Sequence, residues 1–148
     1  MSIIRITKQF TFEMAHALSD YDGLCKNIHG HSYHLDVTVK GAPKQDTNSP
    51  KQGMLIDFGD LKNIVHQEII SVYDHALLLQ ESDNQSLISE LKKHYDKIVI
   101  VAFQPTTENL LIHFAADLRK KLPAGIELFS LRLRETDRSF AEWFAEEN

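Results

Sequence analysis

Three segments of the chain alternate between apolar and polar side chains, and this alternation restricts the possible folds more than any other feature. The segments are residues 3–16, 31–40 and 127–135. A period of two is typical of a strand with one buried face, because successive side chains of a strand point to opposite sides. Residues 139–144 are expected to return as a final strand. Both ends of the chain therefore predict antiparallel hairpins.

The middle of the chain predicts helices and shorter strands. Apolar residues recur there at helical spacing in three places, and two short runs are continuously apolar. The order of these elements between the two hairpins indicates an α+β domain rather than a doubly wound sheet. The predicted elements are a strand at 54–56, helices at about 58–72 and 86–95, a strand at 98–103 and a helix at about 107–121.

Composition argues against several classes of protein. The chain has 148 residues, which fits one domain over residues 1–148. Its net charge is −5 and no block of Lys and Arg stands out, so we expect no nucleic-acid partner. No apolar run approaches the roughly 20 residues that cross a bilayer, and we expect neither a membrane span nor a signal peptide. The single cysteine, Cys25, argues against an internal disulfide and suits the reducing cytoplasm.

The segment from Cys25 to His31 carries the most informative spacing. His29 and His31 are two residues apart, so both imidazoles leave the same face if the strand begins here. His16 ends the first alternating segment in phase with its inward face, and a hairpin would bring the three imidazoles together. Three neutral histidines with an open fourth position are typical of catalytic zinc. The alternative is a chance His-x-His pair on a solvent-facing strand, and His34 falls on the opposite face.

Cys25 lies four residues before His29, close enough to take part in the same site. A thiol beside a cationic metal centre is deprotonated more readily, and it then acts as a base or a nucleophile. The spacing does not make it a fourth metal ligand. The alternative is an inert, buried thiol.

Six short motifs also occur in a fixed order. In that order they resemble the 6-pyruvoyl-tetrahydropterin synthase superfamily over almost the whole chain. The likeness is closest to the bacterial enzymes that form 6-carboxytetrahydropterin for queuosine synthesis, whose cysteine also stands four positions before the first histidine. The animal pyruvoyl-forming enzymes use a longer gap, and a third branch has Glu in place of this cysteine. The motifs are His16, Cys25-x3-His29-Gly30-His31, Ile56-Asp57-Phe58, Asp74-His75, Pro105-Thr106-Thr107-Glu108-Asn109 and Glu135-Thr136.

The resemblance implies a tunnelling fold, which is an antiparallel four-stranded sheet with helices on one face. Subunits of this fold join their sheets into a trimeric barrel, and two trimers stack into a homohexamer. A sheet that is covered on one side and has free edges gives a physical reason for such assembly. Active sites at subunit interfaces are implied as well.

The resemblance implies that His16, His29 and His31 bind Zn²⁺. It also implies that Glu135 anchors the pterin and that Glu108 lies near the same pocket. A carboxylate accepts hydrogen bonds from the adjacent N–H groups of a pterin as a fork. Each glutamate has another interpretation, because Glu108 is favourable in the first turn of any helix and Glu135 stands beside an arginine with which it could pair.

By the same resemblance Cys25 is the general base that moves protons on the substrate's side chain. Asp74 and His75 complete its catalytic triad and come from a neighbouring subunit. A carboxylate beside an imidazole fixes the tautomer that faces the thiol. The alternative is that Asp74 and His75 simply end the helix predicted at 58–72, where a cationic histidine complements the helix dipole.

The implied reaction converts 7,8-dihydroneopterin triphosphate to 6-carboxy-5,6,7,8-tetrahydropterin and releases acetaldehyde and triphosphate. The alternatives are elimination of triphosphate to give 6-pyruvoyl-tetrahydropterin, a zinc hydrolase with Glu108 as base, and a non-catalytic pterin-binding protein. The chain departs from the family pattern at Leu78-Leu79-Gln80, where Leu-Asn is common. Residues 81–97 form a longer stretch, which we expect to place the 86–95 helix at the rim of the pocket.

Overall fold

The fold is built on one mixed sheet of six strands. A computed structural model describes all residues from 1 to 148. The strands are β1 Ile4–His16, β2 His29–Gly41, β3 Ala76–Gln80, β4 Ile98–Val101, β5 Glu127–Thr136 and β6 Ser139–Phe144. Across the sheet they follow the order β4-β3-β1-β2-β5-β6. Together with three helices, the sheet confirms the predicted α+β class.

Long antiparallel pairings form one half of the sheet. β1 and β2 pair along their entire length, from Ile4 opposite Gly41 to His16 opposite His29. β2 then pairs with β5, and β5 pairs with β6. The alternation of the sequence explains this arrangement, because each of these strands turns its apolar side chains toward the helices. This half confirms the three strands predicted from the period of two and the returning strand expected at 139–144.

The other half of the sheet is short and parallel. β3 pairs with the end of β1, from Met14 opposite Ala76 to His16 opposite Leu78, and β4 pairs in parallel with β3. The expected antiparallel four-stranded sheet is therefore wrong in strand number and in direction, because β3 and β4 extend it with parallel pairings. The run 98–103 predicts β4, but the sequence prediction has no strand at residues 76–80. The apolar run in β3 does not alternate and spans only five residues, so its period does not distinguish it from the end of a helix.

Three helices complete the fold, and they confirm the three helical segments of the prediction. Asp57, Asn84 and Thr106 each cap one helix by accepting a hydrogen bond from a backbone N–H of its first turn. None of the helices combines the length and the hydropathy that a membrane crossing requires. The helices are α1, made of Phe58–Val65, a π-helical turn His66–Ile70 and a last turn Ser71–Tyr73; α2, Gln85–His94; and α3, Thr107–Lys121.

The π-helical turn changes which side chains of α1 face the core. Leu61 and Val65 are buried at the usual spacing of four, but Ile69 and Ile70 are consecutive and both buried. A π-helical turn holds one extra residue, so the helix beyond it continues at a different rotation about its axis. This rotation determines which side of the last turn faces the core, and Tyr73 is buried there.

The main core lies between the sheet and the helices α1 and α3. Helix α2 does not contribute to it. Ile88 of α2 packs with Leu79 and Ala17, whereas Leu78 belongs to the main core. Since neighbouring side chains of a strand point to opposite sides, α2 covers the other face of β3. The expectation that all helices lie on one face is therefore wrong for α2.

The short strand predicted at residues 54–56 is absent. Leu55 and Ile56 are buried, but the backbone bends there. A Cβ atom on Gly41 would lie 2.6 Å from Leu55 Cδ1, so the Leu55 side chain fills the space beside the end of β2. A run of three apolar residues does not distinguish a strand from a bend that covers the core.

Candidate active site

The β1–β2 hairpin brings three imidazoles together. His16 ends β1 and lies opposite His29 at the start of β2, and His31 follows on the same face. One ring nitrogen from each histidine lies within 4.8 Å of the other two. Gly30 allows this close packing, because a Cβ atom there would lie 3.3 Å from the Met14 carbonyl oxygen. The structure thus brings together the three side chains that the spacing predicts as metal ligands.

Neighbouring carbonyl groups fix which nitrogen of two rings is free. His16 Nδ1 lies 2.7 Å from the Pro105 carbonyl oxygen, and His29 Nδ1 lies 2.7 Å from the Asn27 carbonyl oxygen. Because a carbonyl only accepts, both Nδ1–H groups donate and each Nε2 keeps its lone pair. The two Nε2 atoms are 3.1 Å apart. Two lone pairs at this distance repel each other unless a cation or a proton lies between them. In addition, the second ring nitrogen of a metal-bound histidine usually donates to a carbonyl group, as both Nδ1–H groups do here. The residues fit a divalent metal ion.

Burial favours the uncharged form of two rings in the histidine cluster, those of His16 and His31. It is the largest cause that lowers the pKa of His16 below 6.5; the charges of His29 and His31 lower the pKa further, while the Pro105 carbonyl and Glu135 oppose the shift. Burial likewise lowers the pKa of His31, again against Glu135. Neutral imidazole is the form that binds a metal. Burial of His16 and His31 therefore favours the form of these two rings that a metal ion needs.

Glu135 links the histidine cluster to helix α3. Its Oε1 lies 3.1 Å from His31 Nε2, a buried nitrogen that makes no hydrogen bond of good geometry. Its Oε2 accepts a hydrogen bond from the buried Thr107 hydroxyl. The Tyr33 hydroxyl is also buried without a partner, and burial, assisted by Glu135, raises the pKa of Tyr33. The sequence alone gives Thr107 and Tyr33 no role; membership of the motif 105–109 is the only signal for Thr107.

A cavity of about 340 Å³ lies beside the cluster. Its lining includes His16, Cys25, Glu108 and Glu135, so four of the predicted site residues share one space. This volume is within the usual range for small-molecule sites. No residue of 81–97 lines the cavity, so the expectation that this stretch forms its rim is wrong.

Asp74 and His75 lie outside this cavity. His75 follows α1 in a left-handed conformation with φ of 61°. Asp74 Oδ1 accepts a hydrogen bond of 2.9 Å from the Glu13 backbone N–H and lies 3.9 Å from His75 Nε2. The His75 side chain is 78% exposed and lines a second cavity with His31. Within one chain the pair does not share a cavity with Cys25.

Comparisons with known proteins agree on one family. A sequence model described as 6-pyruvoyl tetrahydropterin synthase matches residues 5–146. The 6-carboxy-5,6,7,8-tetrahydropterin synthase of Haemophilus influenzae is 38% identical over 143 residues, which cover 95% of this chain and 99% of that protein. The same-named protein of Rickettsia typhi is 34% identical over 144 residues, with 95% and 99% covered. The structure of Caenorhabditis elegans 6-pyruvoyl tetrahydropterin synthase matches with a TM-score of 0.69 at 22% identity and covers 98% of this chain and 97% of that one.

The similarity to the solved structure identifies the fold. The α+β architecture, with its curled mixed sheet, is the tunnelling fold of pterin synthases. The family match spans nearly the whole chain and is supported by relatives more than 30% identical, so the chain belongs to the 6-pyruvoyl tetrahydropterin synthase family. Both bacterial relatives are named 6-carboxy-5,6,7,8-tetrahydropterin synthase. The spacing between Cys25 and His29 resembles that of the same branch of the family.

Proposed function

We propose that the chain is a zinc-dependent 6-carboxy-5,6,7,8-tetrahydropterin synthase of the cytoplasm. It converts 7,8-dihydroneopterin triphosphate to the 6-carboxy product and releases acetaldehyde and triphosphate, as a lyase of 7-deazaguanine and queuosine synthesis. One observation carries the proposal: an imidazole of the histidine cluster, a thiol and two carboxylates line a single cavity. The names of the bacterial relatives support the choice of product.

In this proposal His16, His29 and His31 hold the zinc ion. The convergence of their ring nitrogens and the carbonyl partners of two rings support the assignment. Three protein ligands leave a position for an oxygen of the substrate. A bound zinc ion makes the side-chain hydroxyl groups of the substrate more acidic, so that a modest base suffices at neutral pH.

Glu135 anchors the pterin ring. The Thr107 hydroxyl holds one carboxylate oxygen in place and leaves further lone pairs for the adjacent N–H donors of the pterin. Glu108, in the first turn of α3, lies on the wall of the same cavity and supplies a second acceptor there. The anchoring carboxylate and the histidine cluster are adjacent, because Glu135 Oε1 lies 3.1 Å from His31 Nε2.

Cys25 removes and returns protons on the hydroxylated side chain of the substrate. Asp74 and His75 support it from a neighbouring subunit, since within one chain neither lines the cavity of Cys25, and His75 lines a different one. The exposed His75 ring is free to reach across an interface, and Asp74 is held from behind by the Glu13 backbone N–H. The working form is then a homohexamer built from two trimers, and an isolated chain is inactive.

The identity of the product tests the proposal. Zinc-loaded protein is incubated with 7,8-dihydroneopterin triphosphate, and the pterin formed is identified by mass spectrometry. We expect 6-carboxytetrahydropterin together with acetaldehyde, and no product after the metal has been removed with a chelator. A 6-pyruvoyl product would instead support the alternative elimination of triphosphate. Tight pterin binding without turnover would show a non-catalytic protein.

A further inference from the structure

The segment 18–28, which carries Cys25, is attached to the rest of the chain by few contacts. Its backbone hydrogen bonds are internal, such as the one from Leu18 N–H to the Cys25 carbonyl oxygen at 3.0 Å. Three of its apolar side chains are solvent-exposed, namely Tyr21, Leu24 and Ile28. A segment with so little packing and so few external hydrogen bonds has low local stability.

One hydrogen bond joins this segment to a distant part of the chain. Gln104 Nε2 donates to the Ser19 carbonyl oxygen at 2.8 Å. Every other hydrogen bond of residues 18–28 either stays within the segment or reaches His29. The position of the Cys25 thiol relative to the cavity therefore depends on Gln104 more than on any other side chain of the same chain.

Gln104 also stands where the other parts of the site meet. Its own carbonyl oxygen accepts a hydrogen bond of 2.9 Å from the Asn109 side chain, which belongs to the first turn of α3. The next residue, Pro105, accepts the Nδ1–H of His16. The dipeptide 104–105 thus contacts the helix that carries Glu108, a predicted metal ligand and the segment with the thiol.

We propose that Gln104 is a positioning residue that holds the Cys25 segment in register with the histidine cluster. The inference rests on the proposed function for its catalytic consequence. Its structural consequence does not, because the protein has a single cysteine and the reactivity of that thiol can be measured directly. Loss of the carboxamide donor releases the segment while leaving the three imidazoles in place.

The test compares the zinc-loaded wild type with Gln104→Met, which keeps the length of the side chain and removes the donor. We expect the rate at which Ellman's reagent modifies Cys25 to change by roughly tenfold, the factor that corresponds to one hydrogen bond. We expect kcat to fall by roughly tenfold as well, since small misplacements of catalytic groups are costly. The KM for 7,8-dihydroneopterin triphosphate and the zinc content are expected to stay at the wild-type values.

Gln85→Met is the matched control. Gln85 Nε2 likewise donates to backbone carbonyl oxygens of a loop, those of Glu81 and Asp83, but that loop does not line the cavity. We expect no change in thiol reactivity or kcat in this variant. Gln104→Glu is a second test that preserves shape and polarity, and we expect at least the effect of Gln104→Met, because a carboxylate then faces the Ser19 carbonyl oxygen.

Wild-type thiol reactivity in both Gln104 variants would overturn the inference, and so would a loss of zinc that accounts for the whole effect. A wild type with no turnover of the pterin would instead overturn the proposed function. The thiol rates of the Gln104 and Gln85 variants would then decide the positioning role by themselves.

Discussion

His16 and Cys25 line the same cavity, yet the chain holds them in very different ways. His16 is 2% exposed and ends a strand that is paired with β2 over 13 residues. Its ring is fixed by the Pro105 carbonyl and lies between two further imidazoles. Cys25 belongs to an open segment with one hydrogen bond to a distant residue.

This contrast shows how the site divides its tasks. Three nitrogen lone pairs must converge on one point to bind a metal, and the paired ends of β1 and β2 provide that geometry. In the proposed function the thiol instead acts on a substrate that enters and leaves, and a weakly attached segment allows this movement. Substitutions in the two regions should therefore have different signatures.

The largest effect is expected when one imidazole is removed. His29→Ala should lose zinc and reduce product formation by more than roughly 10³-fold, because the remaining pair no longer holds the ion that acidifies the substrate. Metal analysis and the product assay measure both. The control is His34→Ala, whose side chain lies on the opposite face of β2 and lines a different cavity with Arg134. Full zinc content in the His29 variant would contradict the metal assignment.

Loss of the thiol should leave the metal site intact. Cys25→Ala is expected to reduce kcat by about 10²- to 10⁴-fold, the usual contribution of a general base, with zinc content and melting temperature unchanged. Zinc analysis, a thermal melt and single-turnover kinetics separate these effects. Activity close to that of the wild type would indicate a metal hydrolase rather than a lyase.

A smaller effect is expected from pH on the metal-free protein. Burial lowers the pKa of His16 in the folded state below its ordinary value of 6.5, so the unfolded chain binds more protons below that pH. Stability should therefore be constant above about pH 6.5 and fall on acidification, on the order of 1 kcal/mol per pH unit for one such group. Urea unfolding at pH 7.5, 6.5 and 5.5, at one protein concentration, measures this slope.

His16→Asn supplies the reference for that series. The variant lacks the imidazole whose burial disfavours protonation, so its unfolding free energy should change less between pH 6.5 and 5.5. An equal dependence of the unfolding free energy on pH in the two proteins would show that His16 does not cause the loss of stability at low pH.

The antiparallel half of the fold was accessible from the sequence, and so was β4, which the apolar run 98–103 predicts, whereas β3 was not. β1, β2 and β5 each have one buried face, and their alternation predicts them directly; β6 is predicted as the strand that returns beside β5. β3 is covered on both faces, by the main core at Leu78 and by α2 at Leu79. Such a strand has no alternation, so neither its existence nor the side on which α2 packs follows from periodicity.

The candidate site shows the same limit. The convergence of His16, His29 and His31 follows from strand register, which a period of two encodes. The contacts of Gln104 with Ser19 and of Thr107 with Glu135 join residues that are far apart in sequence, and they depend on how loops approach one another. No local sequence pattern encodes how these loops pack, so the contacts of Gln104 and Thr107 could not be predicted from the sequence.

The π-helical turn of α1 has a consequence for how the gene can vary. The turn at His66–Ile70 holds one residue more than a regular helix, and α1 runs directly into Asp74 and His75. Deleting a single codon there would restore an ordinary helix and rotate everything after it by about 100°. Either Ile69 or Ile70 would then leave the core, or Asp74 and His75 would change their orientation relative to the rest of the fold. An in-frame change of one amino acid in length would therefore be more harmful here than most substitutions.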